Sequence, residues 1–189
     1  MSDFSAAIMF KAEHEKLALE YMEDDVFLIR LNDSWICRLS ENDQNCATLN
    51  GNYSNAVLDL SRRIPLMHVM NAEDHCLELN ILHGGESVCC FAIVDDFDDE
   101  YGCSPSMEYY EAEGWGIDAD EIDSFMLFGF DSDNCGEILN ALSSSDKNRW
   151  EKTATLFNIL GINEFSFVSH HYLSSDKERG ETHFIVIKW

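Results

Sequence analysis

Leu77, Leu79 and Ile81 alternate with polar residues, His83-Gly84-Gly85-Glu86 follows, and Val88 to Val94 is apolar without a break. Successive side chains leave a strand on opposite faces, so a period of two marks a strand, and a Gly-Gly pair suits a tight hairpin turn. A chain holding this segment must build at least one antiparallel hairpin. The unbroken second arm reads as a strand buried on both faces, and hence as a central one.

The rest of the chain is organised around such a sheet. Ala6 to Phe10 reads as a strand, and Ala12 to Met22 as a helix with Leu17, Ala18, Tyr21 and Met22 at helical spacing. Val26 to Leu31 and Trp35 to Leu39 read as strands joined by a turn at Asn32-Asp33. Residues 40 to 51 are polar and turn-rich. Tyr53 to Arg63 reads as a short helix that stops before Pro65. Residues 95 to 124 break every periodicity, and strand character resumes at Phe125 to Phe130. Two helices follow, one carrying Ile138, Leu139 and Leu142, the other Trp150, Ala154, Phe157 and Leu160 with Gly161 as C-cap. Phe165 to Tyr172 and His183 to Trp189 are expected to pair as a hairpin across the polar loop Ser174 to Glu181, with His183, Ile185, Ile187 and Trp189 on one face.

The expected fold is therefore α+β (mixed α/β): one globular domain over residues 1–189, with a mixed or mostly antiparallel sheet packed by three to four helices and an acidic irregular segment at about 95–124. Both ends read strand, helix, strand, strand, which would make two pseudo-equivalent halves, although no residue-level repeat accompanies the pattern. A length of 189 residues, 46% of them hydrophobic and 12% aromatic, suffices for a full core despite a net charge of -24. The N-terminus lacks a basic region, its apolar stretch is too short for a signal peptide, and no run approaches a membrane span, so a cytoplasmic protein is expected. The seven cysteines are an odd set without framework spacing and read as reduced, buried thiols.

Charge is distributed unevenly. All 12 Lys and Arg lie at or before Arg63 or at or after Lys147, while 20 of the 36 Asp and Glu fall between Ile64 and Asp146. Nearly all of the net charge thus belongs to one stretch. A polyanion is repelled by nucleic-acid phosphates and anionic membranes, so direct contact with either is not expected; the same field speeds encounter with a basic protein surface.

Within the acidic stretch, Asp96, Asp98, Asp99, Glu100 and Tyr101, then Glu108, Tyr109, Tyr110, Glu111, Glu113 and Trp115, and finally Asp118, interleave carboxylates with aromatics. Solubility needs only the charges, whereas a binding face uses aromatic anchors for affinity and charge for steering. These twelve residues are the candidate partner-binding set. The Glu108-Tyr109-Tyr110-Glu111 segment resembles the acidic, paired-tyrosine contact surface of the colicin nuclease immunity proteins. The resemblance covers four residues, and those proteins are shorter and all-helical, so it implies a binding mode and not membership.

Other chemistry finds less support. His75, Cys76, His83, Cys89 and Cys90 fit no zinc spacing, and Cys89 and Cys90 in a strand point to opposite faces. Asp131 to Gly136 opens like an EF-hand loop, but the twelfth position is Leu142 where a bidentate Glu is required, so Asp131 or Asp133 reads as a helix N-cap. Adjacent His170 and His171 are expected in a strand, facing opposite ways. No nucleophile elbow, phosphate loop or dinucleotide fingerprint occurs. No catalytic residue, cofactor or metal is assigned. The sequence points to an acidic inhibitor of a basic partner, such as an immunity protein or antitoxin against a nuclease toxin. Its alternatives are a nucleic-acid mimic that blocks a DNA-binding defence enzyme and an uncharacterised enzyme.

Overall fold

A computed structural model describes residues 4–43, 53–72, 76–94, 116–162, 165–166, 168–180 and 184–188. The chain runs β1 (Phe4–Lys11), α1 (Glu15–Glu20), β2 (Phe27–Arg30), β3 (Trp35–Leu39), α2 (Asn55–Ser61), β4 (Leu66–Ala72), β5 (Cys76–His83) and β6 (Glu86–Val94). It continues through α3 (Ala119–Ile122), a 3-10 segment (Asp123–Phe128), α4 (Ser132–Ser143), α5 (Arg149–Leu160), α6 (His170–Arg179) and β7 (Ile185–Lys188). The strands form one sheet in the order β6-β5-β4-β1-β3-β2-β7, antiparallel throughout.

Strand β1 sits at the centre of the sheet and buries both of its faces. Ala7 and Met9 enter the larger core, against Ile122, Phe125, Phe128, Ile138, Leu156 and Leu173 from the C-terminal helical elements. Ile8 and Phe10 face the other way, with Ala18 of α1 and Val57 and Leu60 of α2. The architecture is α+β, a seven-stranded antiparallel sheet with helices on both sides. Burial of both faces explains the apolar runs without alternation.

Four expectations need correction. The apolar run of β6 does not make it central: β6 is an edge strand, because continuous apolarity reports coverage of the two faces and not the number of neighbours. Phe125 to Phe130 is not a strand; Phe125 and Phe128, three apart, are buried on one side of the 3-10 segment, which Gly129 ends at φ 85°. Phe165 to Tyr172 does not pair with the last strand, since Ser169 caps a helix from His170 and accepts the Tyr172 N–H, and the polar stretch expected as a loop forms that helix's outer face up to Gly180. Strand β7 pairs instead with β2. The two-halves reading fails accordingly: the N-terminal portion is β1-α1-β2-β3, while the C-terminal portion is helical before its single strand. Strand β4, interrupted in sequence by His68 and Asn71, is an addition that the pattern did not announce, as are α3 and α6.

The Gly84-Gly85 turn is as the sequence implies. Both glycines have positive φ, 70° and 92°, the requirement of a two-residue hairpin turn whose twist matches its strands. The Gly84 N–H also donates to the Ser61 carbonyl at the end of α2.

Candidate interaction surface

Of the twelve candidate residues, Asp118 is described; Asp96, Asp98, Asp99, Glu100, Tyr101, Glu108, Tyr109, Tyr110, Glu111, Glu113 and Trp115 lie outside the described residues. Asp118 is exposed and N-caps α3, accepting the Asp120 N–H at 2.8 Å. It is held by the helix it starts, so its charge has a fixed position.

The acidic series continues beyond Asp118 on a rigid base. Asp120, Asp123, Asp131, Asp133 and Glu137 are exposed, and Asp131 caps α4 in a reciprocal box with Asn134. The N-cap role expected for Asp131 is therefore found. Glu121 turns inward and accepts the backbone N–H of Cys90. Two thiols register the field these groups make. Burial pushes the Cys89 thiol up, and Glu121, Cys90 and Asp118 push it further. Burial also raises Cys135, helped by Asp123 and Asp131 and opposed by a hydrogen bond to the Met126 backbone. Asp123, Asp131 and the Met126 backbone thus all act on the Cys135 thiol in the first turn of α4.

At that point the 3-10 segment turns apolar side chains outward. Met126 is 48% exposed and Leu127 40%, between the buried Phe125 and Phe128. A tight three-residue turn cannot bury four consecutive apolar residues on one side. The result is an apolar tip bracketed by Asp123 and Asp131, the arrangement of anchor and charged surround expected of a binding face. Sequence reading missed these two residues because a strand at 125–130 would have placed Leu127 with Phe125 on one face; the spacing of Phe125, Phe128 and Gly129 was the available signal.

Next to the tip lies an open groove of about 530 Å³, lined by Lys11, Glu13, His14 and Asp33 opposite Met126 and Leu127. Its floor is braced. Asn32 Oδ1 accepts the N–H groups of Ser34 and Trp35 at 2.8 and 3.0 Å, and its Nδ2 donates to the Gly161 carbonyl. Trp35 Nε1 donates to the Leu160 carbonyl at 2.8 Å. The Lys11 ammonium stands 4.0 Å from the Trp35 ring and 4.9 Å from that of Phe130. Its pKa is lowered by burial, with Glu13 acting in the opposite direction. Glu13 and Asp33 are exposed, so the groove offers carboxylates to a cationic side chain and apolar walls to its stem.

A second polar constellation is buried. His68 and Asn80 stand opposite each other on β4 and β5, and Tyr53 reaches both: its hydroxyl is 3.0 Å from His68 Nδ1 and accepts from Asn80 Nδ2 at 3.1 Å. Ser87 donates to Asn80 Oδ1 at 2.7 Å. The Tyr53 hydroxyl thus joins the Asn80 amide to the His68 ring, with the donor between Tyr53 and His68 set by the His68 tautomer. Nearby on the same face Arg38 donates to Glu23, which also accepts from Ser54. These groups lie under α2 and specify how it docks on the sheet.

The remaining candidates resolve plainly. His170 stacks flat on Phe27, ring centroids 4.8 Å apart, and His171 is exposed; both belong to the first turn of α6 and not to a strand. Cys89 faces the larger core and Cys90 the opposite side, as neighbours in a strand must. Among the described residues no group of three or more His, Cys, Asp or Glu is placed to hold a metal ion, and no helix is long and apolar enough to cross a membrane. Comparison of the chain with protein-family models, with curated proteins and with solved structures finds no match.

Proposed function

We infer that this chain is a cytoplasmic, non-enzymatic binding protein that inhibits a basic partner protein, in the manner of an immunity protein or antitoxin neutralising a nuclease toxin. The observation that supports this reading best is the exposed pair Met126 and Leu127, flanked along the chain by Asp123 and Asp131, beside a groove whose lining includes Glu13 and Asp33. Affinity in such a surface comes from the apolar tip, and association rate from the surrounding charge. In the sequence the residues Asp96 to Trp115 belong to the same acidic stretch, and in this proposal they too contact the partner. A partner that binds nucleic acid carries a basic cleft, and covering that cleft is a direct way for a polyanion to inhibit it.

The test is capture from a cytosolic lysate at low salt, followed by assay of the retained protein's activity on nucleic acid. The inhibitor reading expects one stoichiometric basic protein whose activity falls on adding this chain. Capture that Met126→Asp leaves unchanged, with loss only on neutralising acids spread along the surface, would instead favour the nucleic-acid mimic. Retention of no basic protein would contradict both.

A further inference from the structure

The two edges of the sheet are finished differently. On β6 the Glu121 carboxylate accepts the Cys90 N–H and the Ser124 hydroxyl donates to the Val88 carbonyl, so side chains occupy two of its backbone groups. At the other end β7 pairs with β2 alone, and among the described residues no hydrogen bond reaches its outer side. Ile185 is 67% exposed there, more than any other large hydrophobic among the described residues.

An edge strand turns alternate N–H and C=O groups away from its sheet and so offers a template to another strand, unless a lysine, a proline, a bulge or a cover guards it. Phe184 to Ile187 holds no charge and no proline, and three of its four residues are β-branched, the type that favours a strand. Lys188, the lysine placed to guard the edge, is drawn off, its ammonium donating to the Glu23 carbonyl at 3.2 Å. The register shift against β2 falls between Leu28 and Ile29, which leaves Ile185 and Val186 in step with Arg30 and Ile29.

Charge decides which strand can come there. Residues 64–146, with 20 acids and no base, supply β4, β5 and β6, whereas the rest of the chain sets 16 acids against 12 bases. Strands lie about 4.8 Å apart, so the six spacings of the sheet put β7 roughly 29 Å from β6, several times the Debye length of about 8 Å at physiological salt. A second copy of this chain, repelled at the β6 end, can therefore approach at β7. The strand also suits itself. Two copies paired antiparallel about Ile185 set Ile185 against Ile185 and Phe184 against Val186, an aromatic opposite a β-branched residue, with no like charges opposed. Phe184 and Val186 both pack against the larger core, so they share a face as this pairing requires. Leu19, 40% exposed, adds apolar surface: Glu15, one turn before it on α1, holds Arg30, the cross-strand neighbour of Ile185.

We propose that this chain self-associates as a two-fold dimer through the outer edge of β7, its sheet continuing from one copy into the other across Ile185. The paired edge is short, below a standard interface of about 1,600 Å², so the dimer is weak and concentration-dependent. It shares no residue with the acidic face and stands whether or not the inhibitor reading does.

Sedimentation equilibrium of the full chain, from about 1 μM to about 1 mM, should show monomer passing to dimer, and added salt should leave the dimer as tight or tighter because it screens repulsion. Ile185→Lys and Ile185→Glu each oppose like charges and should weaken dimerisation at least about tenfold in a chain that stays folded, since the side chain is exposed. An equal mixture of the two variants should dimerise more tightly than either alone, because opposite charges then meet across the axis. Amide exchange in β7 should slow as protein concentration rises, while exchange at Cys90 on β6 stays constant. A monomer at every concentration would overturn the proposal and leave the edge to a strand of another protein. Association that falls with salt would overturn it too, marking attraction between acidic and basic segments. So would either variant dimerising like the native chain, or a mixture no tighter than its components.

Discussion

The Glu121 carboxylate accepts the backbone N–H of Cys90 at 3.4 Å, across the outer edge of β6. Two residues into the 3-10 segment, the Ser124 hydroxyl donates to the Val88 carbonyl at 3.2 Å. An edge strand otherwise offers such groups to any passing chain, and here side chains from the acidic stretch occupy them. Helix α3 and the 3-10 segment therefore cover two groups of the β6 edge, and the 3-10 segment also carries the exposed Met126 and Leu127.

Glu121→Ala should expose that edge. We expect a loss of about 1–2 kcal/mol in unfolding free energy and faster hydrogen exchange at the Cys90 amide. Glu121→Gln keeps an acceptor oxygen and should retain most of the protection. Exchange rates measured by NMR decide the point, and equal rates in the native protein and Glu121→Ala would remove Glu121 from the role.

Gly129→Ala tests how the apolar tip is held. A Cβ there would meet nothing, but φ is 85°, so the cost is one of backbone conformation alone, about 1–2 kcal/mol. Urea unfolding should show the loss. An unchanged midpoint would mean that the 3-10 segment does not depend on the left-handed cap.

Tyr53→Phe removes the hydroxyl that joins His68 to Asn80. Because it leaves a buried Asn80 donor without that acceptor, the expected cost is about 1–3 kcal/mol, above that of a surface hydrogen bond. Denaturant titration checks the size, and a double-mutant cycle with Asn80→Ala should show coupling between the two sites.

Stability should fall in alkali. Cys37, Cys89, Cys90 and Cys135 have thiols raised above the usual 9.0, each chiefly by burial. Above pH 9 the unfolded chain releases protons that the folded chain keeps, so the folded state binds more protons and the unfolding free energy declines as pH rises. Each thiol contributes at most about 1.4 kcal/mol per pH unit. Lys11, lowered by burial, works in the opposite direction, since the folded state loses its proton first. Unfolding of Cys89→Ala between pH 8 and pH 10 should show a slope smaller than the native protein's by about half a proton on average, rising toward one at the upper end; an identical slope would contradict the account of Cys89.

The sheet was legible where pattern and turn chemistry agreed. Leu77 to Val94 declared its hairpin through alternation and Gly84-Gly85, and Asp131 declared its cap. The departures have physical causes. The run at 125–130 is apolar at every position but Gly129, which leaves period three and period two indistinguishable until burial separates Phe125 and Phe128 from Met126 and Leu127. Residues 170–179 bury only Leu173, so α6 had almost no apolar stripe to reveal it. The edge position of β6 depends on strand order, which no local pattern encodes. Of the candidate site, the acidity was plain in the sequence, but the anchors at Met126 and Leu127 depended on the turn that exposes them.

The central claim is that the acidic face binds a basic protein through its apolar tip. Titration calorimetry of the captured partner against the native chain and against Met126→Ala/Leu127→Ala, at two salt concentrations, tests it most directly. We predict that the double variant weakens binding by about 2 kcal/mol or more at both salts, while added salt weakens both proteins to a similar degree. Unchanged affinity in the double variant, or affinity indifferent to salt, would contradict the claim.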